Sequence, residues 1–159
     1  MLAFSEGIYN WIKAFHVLAS IVWVGGGIFI QIYTTRLRRA KHQDRLVAFA
    51  KDVEKLGTGL FLPASILVLI LGIAMVWYSP AWEVTDLWVI LGLVGIANTI
   101  VVGAAFLGPE AGRIARVAEE RGQTDPEVAR RTQRIFTISR YDIAVLVLVV
   151  IDMVVKPGR

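Results

Sequence analysis

Three long runs of this sequence contain no charged side chain; they are residues 14–35, 60–78 and 87–107. A helix needs about 20 mostly apolar residues to cross the roughly 30 Å hydrocarbon core of a bilayer, and each run reaches or approaches that length. Hydrophobic residues make up 56% of the 159 residues and charged residues 19%. Because the apolar residues are gathered in blocks and not spread over amphipathic faces, the runs predict membrane-spanning helices.

A fourth run is weaker. Residues 143–155 are apolar except for Asp152, and they become long enough to span if 135–141 belong to the same helix. We therefore expect an all-α fold, an integral membrane four-helix bundle with helical cytoplasmic extensions. It forms a single domain over residues 1–159, with spans at about 8–35, 60–78, 87–107 and 135–155.

The basic residues alternate along the chain. Seven lie in the connection after the first span, none in the short connection 79–86, and seven in the connection after the third span, counted to Arg140. Loops rich in Lys and Arg stay on the cytoplasmic side, so the sequence predicts cytoplasmic segments at 36–57 and 108–134 and both termini outside a bacterial cell membrane. The basic residues that set this orientation also account for the net charge of +4, so nucleic-acid binding is not expected.

The two basic connections are themselves expected to be helical, over 36–57 and 110–134. Gly108-Pro109 is expected to end the third span. In the second connection, Thr124 is a candidate cap, Pro126 suits the first helical position and Glu127 completes a capping box. From there one helix can run unbroken to Val155.

Polar residues inside the spans are candidates for function because burying them in a bilayer is costly. One face of the first span carries Lys13, His16, Ser20, Trp23, Gly27 and Gln31, at spacings of three and four. Asn98 lies near the middle of the third span. Lys13 and Asp152 both fall in the outer half, where they are expected to form an ion pair.

His16 allows three interpretations. It is a neutral histidine hydrogen-bonded to Asn98 or Ser20, a ligand of haem or a metal, or part of a proton relay with Lys13 and Asp152. The adjacent glycines Gly25, Gly26 and Gly27 permit close approach of a helix or a flat ligand. His42, the other histidine, lies in a cytoplasmic connection. A second axial ligand therefore has to be Met75, Met153, Lys13, His16 of a second copy, or nothing.

Other chemistry is excluded or unsupported. The chain has no cysteine, which rules out disulfides, zinc–thiolate sites, iron–sulfur clusters and cysteine nucleophiles. No phosphate-binding glycine loop or nucleophile elbow occurs. A stripe of small residues in the third span predicts tight helix packing; it consists of Gly92, Gly95, Thr99 and Gly103.

The segment WIKAFHVLASIVWVGGGIF resembles a pattern of several small bacterial membrane families, in which a lysine precedes a histidine by three residues and Trp-x-Gly-Gly follows. They include the copper-resistance D type and the HemJ-type protoporphyrinogen oxidases. The chain is also similar, in length and in its long basic first loop, to a family of predicted integral membrane proteins without an assigned function. The resemblance implies a bundle whose span-one histidine, here His16, holds haem b or copper. The oxidase type also uses a lysine in a later span, and spans two and three have none.

Our first functional hypothesis is a small b-type haem-binding membrane protein with a redox or sensing role. His16 is the axial and metal ligand, with Trp23, Gly25, Gly26, Gly27, Asn98 and Met75 as further cofactor-binding residues. Copper is the alternative metal. The other hypotheses are a transporter or ion-permeation protein with an intramembrane polar path, which requires a homodimer, and a structural membrane module. The sequence assigns no catalytic residue and identifies no redox partner; the lipid bilayer is the expected surrounding.

Overall fold

The computed structural model describes residues 2–79 and 81–158, including all their side chains but those of residues 2–6 and 43. This part of the chain is helical and contains no strand; the α-helices are α1 (Leu2–Ser20), α2 (Gly26–Arg39), α3 (Gln43–Leu56), α4 (Leu62–Tyr78), α5 (Leu87–Val102), α6 (Gly108–Arg121) and α7 (Pro126–Val155). Wide π-helical turns join α1 to α2, α3 to α4 and α5 to α6; they cover Ile21–Gly25, Gly57–Phe61 and Gly103–Leu107. The result is four long helices, named I (2–39), II (43–78), III (87–121) and IV (126–155).

The basic connections are helical as predicted, except for the turns at 40–42 and 122–125. Their helices are continuous with the spans. The prediction that Gly108-Pro109 ends the third helix is wrong, because helix III passes through a π turn directly into α6. Proline removes a backbone donor and clashes with the carbonyl four residues earlier. For Pro109 that residue is Ala105, which lies in the π turn, and for Pro63 it is Gly59, again in a π turn. The widened turn precedes the proline in both helices, and the helix continues.

Helix IV runs without interruption from Pro126 to Val155, as the sequence predicts. Its cap differs from the expectation. Asp125, and not Thr124, is the capping residue, and its Oδ1 accepts a hydrogen bond from the backbone N–H of Glu127 at 2.7 Å. A carboxylate in this position also interacts favourably with the positive end of the helix dipole.

The helices pack as two antiparallel hairpins joined at the basic end. In the first hairpin α1 lies along α4, and in the second α5 lies along α7, while α3 packs against α6 to connect them. Two clusters of buried apolar residues hold this arrangement. The membrane cluster consists of Ala19, Trp23, Val68, Ile96 and Leu146. The basic-end cluster consists of Val47, Ile114, Ala118 and Val128.

Helices I, II and III are long and apolar enough to cross a membrane, over Gly7–Arg39, Asp44–Tyr78 and Leu87–Arg121. Many of their large apolar side chains are exposed, among them Ile21, Phe29 and Val94, each more than 60% accessible. An exposed apolar surface of this extent is suited to lipid and not to water. Helix IV is not one of these candidate spans, because Arg140, Asp142 and Asp152 interrupt its apolar part. It packs along α5, and its crossing of the membrane stays a prediction.

Candidate ligand-binding cavity

A cavity of about 420 Å³ lies in the middle of the bundle and is lined by all four helices. Trp23 and Leu146 of the membrane cluster contribute to its wall, and so does Ile114 of the basic-end cluster. The cavity therefore separates the two clusters. Its volume falls within the range of about 300–1,000 Å³ typical of small-molecule sites, and its lining is mostly apolar.

All three π turns line this cavity. Trp23 comes from the first turn, Gly57 and Phe61 from the second, and Gly103 and Leu107 from the third. A π turn interrupts the regular hydrogen-bonding pattern of a helix and is often found at functional sites. Helices I, II and III therefore all depart from regular α-helical geometry where they line the cavity.

Asp142 of helix IV provides an acidic group in the cavity wall. The residue is 8% exposed, and its Oδ1 has no hydrogen-bond partner in the part of the chain that the structure describes. The buried hydroxyl of Thr132, also in the wall, has no partner either. By contrast, Ser65 and Thr99 donate to backbone carbonyls of their own helices, at 2.8 and 3.0 Å. The two polar groups without a partner, in Asp142 and Thr132, thus both belong to helix IV.

A side-chain hydrogen bond links helices I and IV beside this acid. Ser139 Oγ donates to Gln31 Oε1 at 2.8 Å, and both residues line the cavity. Gln31 belongs to the polar face predicted for the first span. Trp23 and Gly27 of that face also reach the cavity.

His16 does not line the cavity. Its Nδ1 lies 3.0 Å from the backbone oxygen of Val68, and its ring lies against Gly72 of α4. Ser20 donates to the backbone carbonyl of His16 at 2.8 Å and not to the ring. The histidine therefore links helices I and II, as a structural histidine was expected to do, but through a backbone carbonyl instead of Ser20 or Asn98.

Asn98 lies at a different depth from His16. Gly27 faces Ile143 of helix IV, and Gly95 faces the region of Val149 on the same helix. Measured along helix IV at 1.5 Å per residue, these contacts place Asn98 about 12 Å deeper in the bundle than His16. The structure does not bring these two predicted site residues together.

Lys13 and Asp152 form no ion pair in the described part of the chain. Lys13 is exposed, whereas both carboxyl oxygens of Asp152 are buried without a partner, close to Gly92 of α5. Met75 lies one turn beyond Gly72 on α4 and is half-buried. The expected pair is therefore not formed, and Asp152 instead faces the third helix.

The three adjacent glycines do not form one flat surface. Gly25 is exposed, Gly26 is covered by the ring of Phe61, and Gly27 faces the cavity and Ile143. Successive helical positions point in different directions, which separates the three. Among the described residues, no three His, Cys, Asp or Glu side chains are grouped to hold a metal ion.

An ion-pair network joins α6 to α7 at the basic end of the bundle. Glu110 is 1% exposed and accepts from Arg131 at 2.9 Å, and Arg113 approaches its other oxygen at 3.3 Å. Arg131 also donates to Glu127 at 2.8 Å. This hydrogen bond lowers the pKa of Glu127 below its ordinary value. Charged bonds of this kind fix how the two helices meet.

Asp142 is the residue that sequence reasoning missed. From its place at the inner end of the fourth span, Asp142 is expected to meet lipid headgroups or the loop helices and not to enter a site, whereas the structure buries it in the cavity wall. The sequence does contain a signal for it, because one face of helix IV carries residues at spacings of three and four that all line the cavity. They are Thr132, Ile135, Ser139, Asp142 and Leu146. That polar face resembles the one in the first span, and the two meet at Gln31 and Ser139.

Comparison with known proteins gives one family. Neither the curated proteins nor the solved structures contain a significant match to the chain. The model of a family described as predicted integral membrane protein (DUF2269) matches residues 10–157, which include helices II, III and IV, most of helix I and the whole cavity lining. The chain therefore belongs to this family of integral membrane proteins.

Proposed function

We propose that this multi-pass membrane protein binds a small amphiphilic molecule in the central cavity. The ligand is apolar over most of its length and carries one hydrogen-bond donor, an amine or a hydroxyl, that meets Asp142. One observation carries the proposal: Asp142, a residue only 8% exposed whose Oδ1 has no partner among the described residues, lies in the wall of a 420 Å³ apolar cavity.

The chemistry follows from the cost of burying a polar group. A buried acceptor that meets no donor costs about 1–3 kcal/mol, and a charged one costs more. A ligand donor offsets this cost only where it reaches the free oxygen of Asp142. The hydroxyl of Thr132 offers a second polar contact on the same helix. The rest of the cavity wall is mostly apolar and therefore favours a ligand with an apolar body.

The test uses N-phenyl-1-naphthylamine, an apolar aromatic amine whose fluorescence rises in apolar surroundings. Protein in lipid nanodiscs should increase its emission saturably above the level of empty nanodiscs. Asp142→Asn should weaken binding at least tenfold, because the charge-assisted acceptor is lost. Equal titrations for protein-containing and empty nanodiscs contradict the proposal and favour the structural-module hypothesis.

A matched pair of glycine variants tests whether the cavity is the site. Gly103 and Gly25 both lie in π turns, and both have open space where a Cβ would be. Gly103 lines the cavity and Gly25 does not. Gly103→Leu should abolish the saturable signal, whereas Gly25→Leu should leave it unchanged. Equal loss in both variants places the binding elsewhere.

Haem b at His16 is the second candidate. What supports it is the contact between Nδ1 and the carbonyl of Val68, since histidines that bind metals commonly hold their other nitrogen in this way. Protein purified in mild detergent and incubated with haemin should then show a Soret band that His16→Ala removes. A colourless wild-type protein eliminates haem, and copper titration with the same two proteins checks the alternative metal.

We infer that the basic end of the bundle is cytoplasmic and that both termini are outside, in the cytoplasmic membrane of a bacterium. The support is the distribution of basic residues, seven in each long connection and none in 79–86. This orientation requires helix IV to cross the membrane alongside helix III. The Glu110–Arg131 network then lies in the cytoplasm.

A further inference from the structure

A groove runs between helices I and IV on the outside of the bundle. It is lined by Gln31, Thr35 and Arg39 of α2 and by Phe136, Arg140, Ile143 and Ala144 of α7. Three of these residues, Gln31, Phe136 and Ile143, also line the central cavity. The groove therefore lies against the outer side of the cavity wall, next to the Gln31–Ser139 hydrogen bond.

The groove contains two arginines that the protein leaves without an acid. Arg39 and Arg140 are both exposed, and within the described residues neither makes an ion pair with a carboxylate. Other arginines of the basic end do so, including Arg121, whose Nη1 lies 2.9 Å from Glu127. Guanidinium groups bind phosphate through paired, charge-assisted hydrogen bonds.

The rest of the groove is suited to a hydrocarbon chain. Ile143 and Ala144 lie on the membrane side of Arg140, along the apolar part of helix IV, whereas Arg39 lies in the last turn of α2 at the basic end. The groove thus changes from apolar to basic along its length. An anionic phospholipid of the adjacent leaflet has the same order of chain and phosphate.

We propose that this groove is a binding site for an anionic phospholipid, with its phosphate between Arg39 and Arg140 and an acyl chain along Ile143 and Ala144. The site does not depend on the ligand proposed for the central cavity. It does place a lipid on the seam between helices I and IV, next to the hydrogen bond between Gln31 and Ser139 in the cavity wall.

The test counts lipids that stay bound to the detergent-purified full chain in native mass spectrometry. Dioleoyl phosphatidylglycerol is the anionic probe, and dioleoyl phosphatidylcholine is the control with the same chains. We expect phosphatidylglycerol to bind at least tenfold more tightly. The double variant Arg39→Gln, Arg140→Gln should lose that preference. The matched control Arg45→Gln, Arg116→Gln removes the same charge from exposed positions outside the groove and should keep it.

Three results overturn the proposal. One is equal binding of the two lipids to the wild-type protein. Another is an equal loss in both double variants, which indicates a general charge effect. The third is full displacement of phosphatidylglycerol by millimolar inorganic phosphate, which indicates a site for the free ion and no contribution from the chain. Circular dichroism of each variant checks that the helices are intact.

Discussion

Asp142 holds a carboxyl group in an apolar space, and its Oδ1 has no donor. Such a group lowers the stability of the empty protein, because a residue of similar volume without polar atoms packs in the same place without the desolvation cost. Residues that are kept at the expense of stability are typical of binding sites.

We therefore expect Asp142→Leu to stabilise the empty protein by about 1–3 kcal/mol while it abolishes binding of the amine probe. The free energy of unfolding in mixed micelles is the measurement. Asp52→Leu, at an exposed position, serves as the control and should change stability by less than about 0.5 kcal/mol. A less stable Asp142→Leu protein would show that the carboxyl group has a partner that stabilises the fold.

Gly95 lies at a close contact between α5 and α7. A Cβ at this position overlaps the side chain of Val149, which as a β-branched residue has little freedom to move. Gly95→Ala should destabilise the protein by about 1–3 kcal/mol. Gly25→Ala, where the added carbon meets open space, should be neutral or stabilising. Thermal unfolding in detergent compares the two; equal midpoints would contradict the packing described for these helices.

At the scale of the elements, the junction of α6 and α7 depends on ionised acids. The pKa of Glu127 is lowered by its hydrogen bond from Arg131. A lowered pKa in the folded state contributes stability at neutral pH, and this contribution is lost as the pH falls through the folded value. As the pH falls below the ordinary pKa range of glutamate, the temperature midpoint of unfolding should decrease. It should decrease less steeply for Glu127→Gln. Parallel pH profiles for the two proteins would rule out this contribution.

The sequence predicts which segments are helical because apolar runs and caps are local signals. It does not predict how the helices continue. Gly108-Pro109 looks like a stop, yet the helix absorbs the proline through a π turn. The local signal exists in retrospect: a glycine precedes the proline by six residues in both Gly57–Pro63 and Gly103–Pro109. The first π turn, Ile21–Gly25, has no following proline and no comparable signal.

The same limit applies to the site. The polar face of the first span correctly indicated Trp23, Gly27 and Gln31 as inward-facing residues. It could not predict the partners of His16, because the bond to Val68 depends on the register between helices I and II. Asp142 was missed for a related reason. Its depth depends on how far helix IV extends along helix III, which composition does not determine.

At the scale of the whole molecule, the absence of native cysteine makes the proposed orientation directly measurable. Glu83→Cys lies in the short connection between α4 and α5, and Gln123→Cys lies between α6 and α7; both positions are exposed. A membrane-impermeant maleimide should label the first in intact cells and the second only after permeabilisation. The reverse pattern, or labelling of both in intact cells, would contradict the inferred topology.

Contacts between the helices are unevenly distributed along the bundle. Helix I lies along helix II, and helix III along helix IV, over much of their length, whereas α4 and α5 touch only sparsely. A chain cut within residues 79–86 and produced as two fragments should reassemble in the membrane, because the contact between α3 and α6 that joins the halves lies at the opposite end.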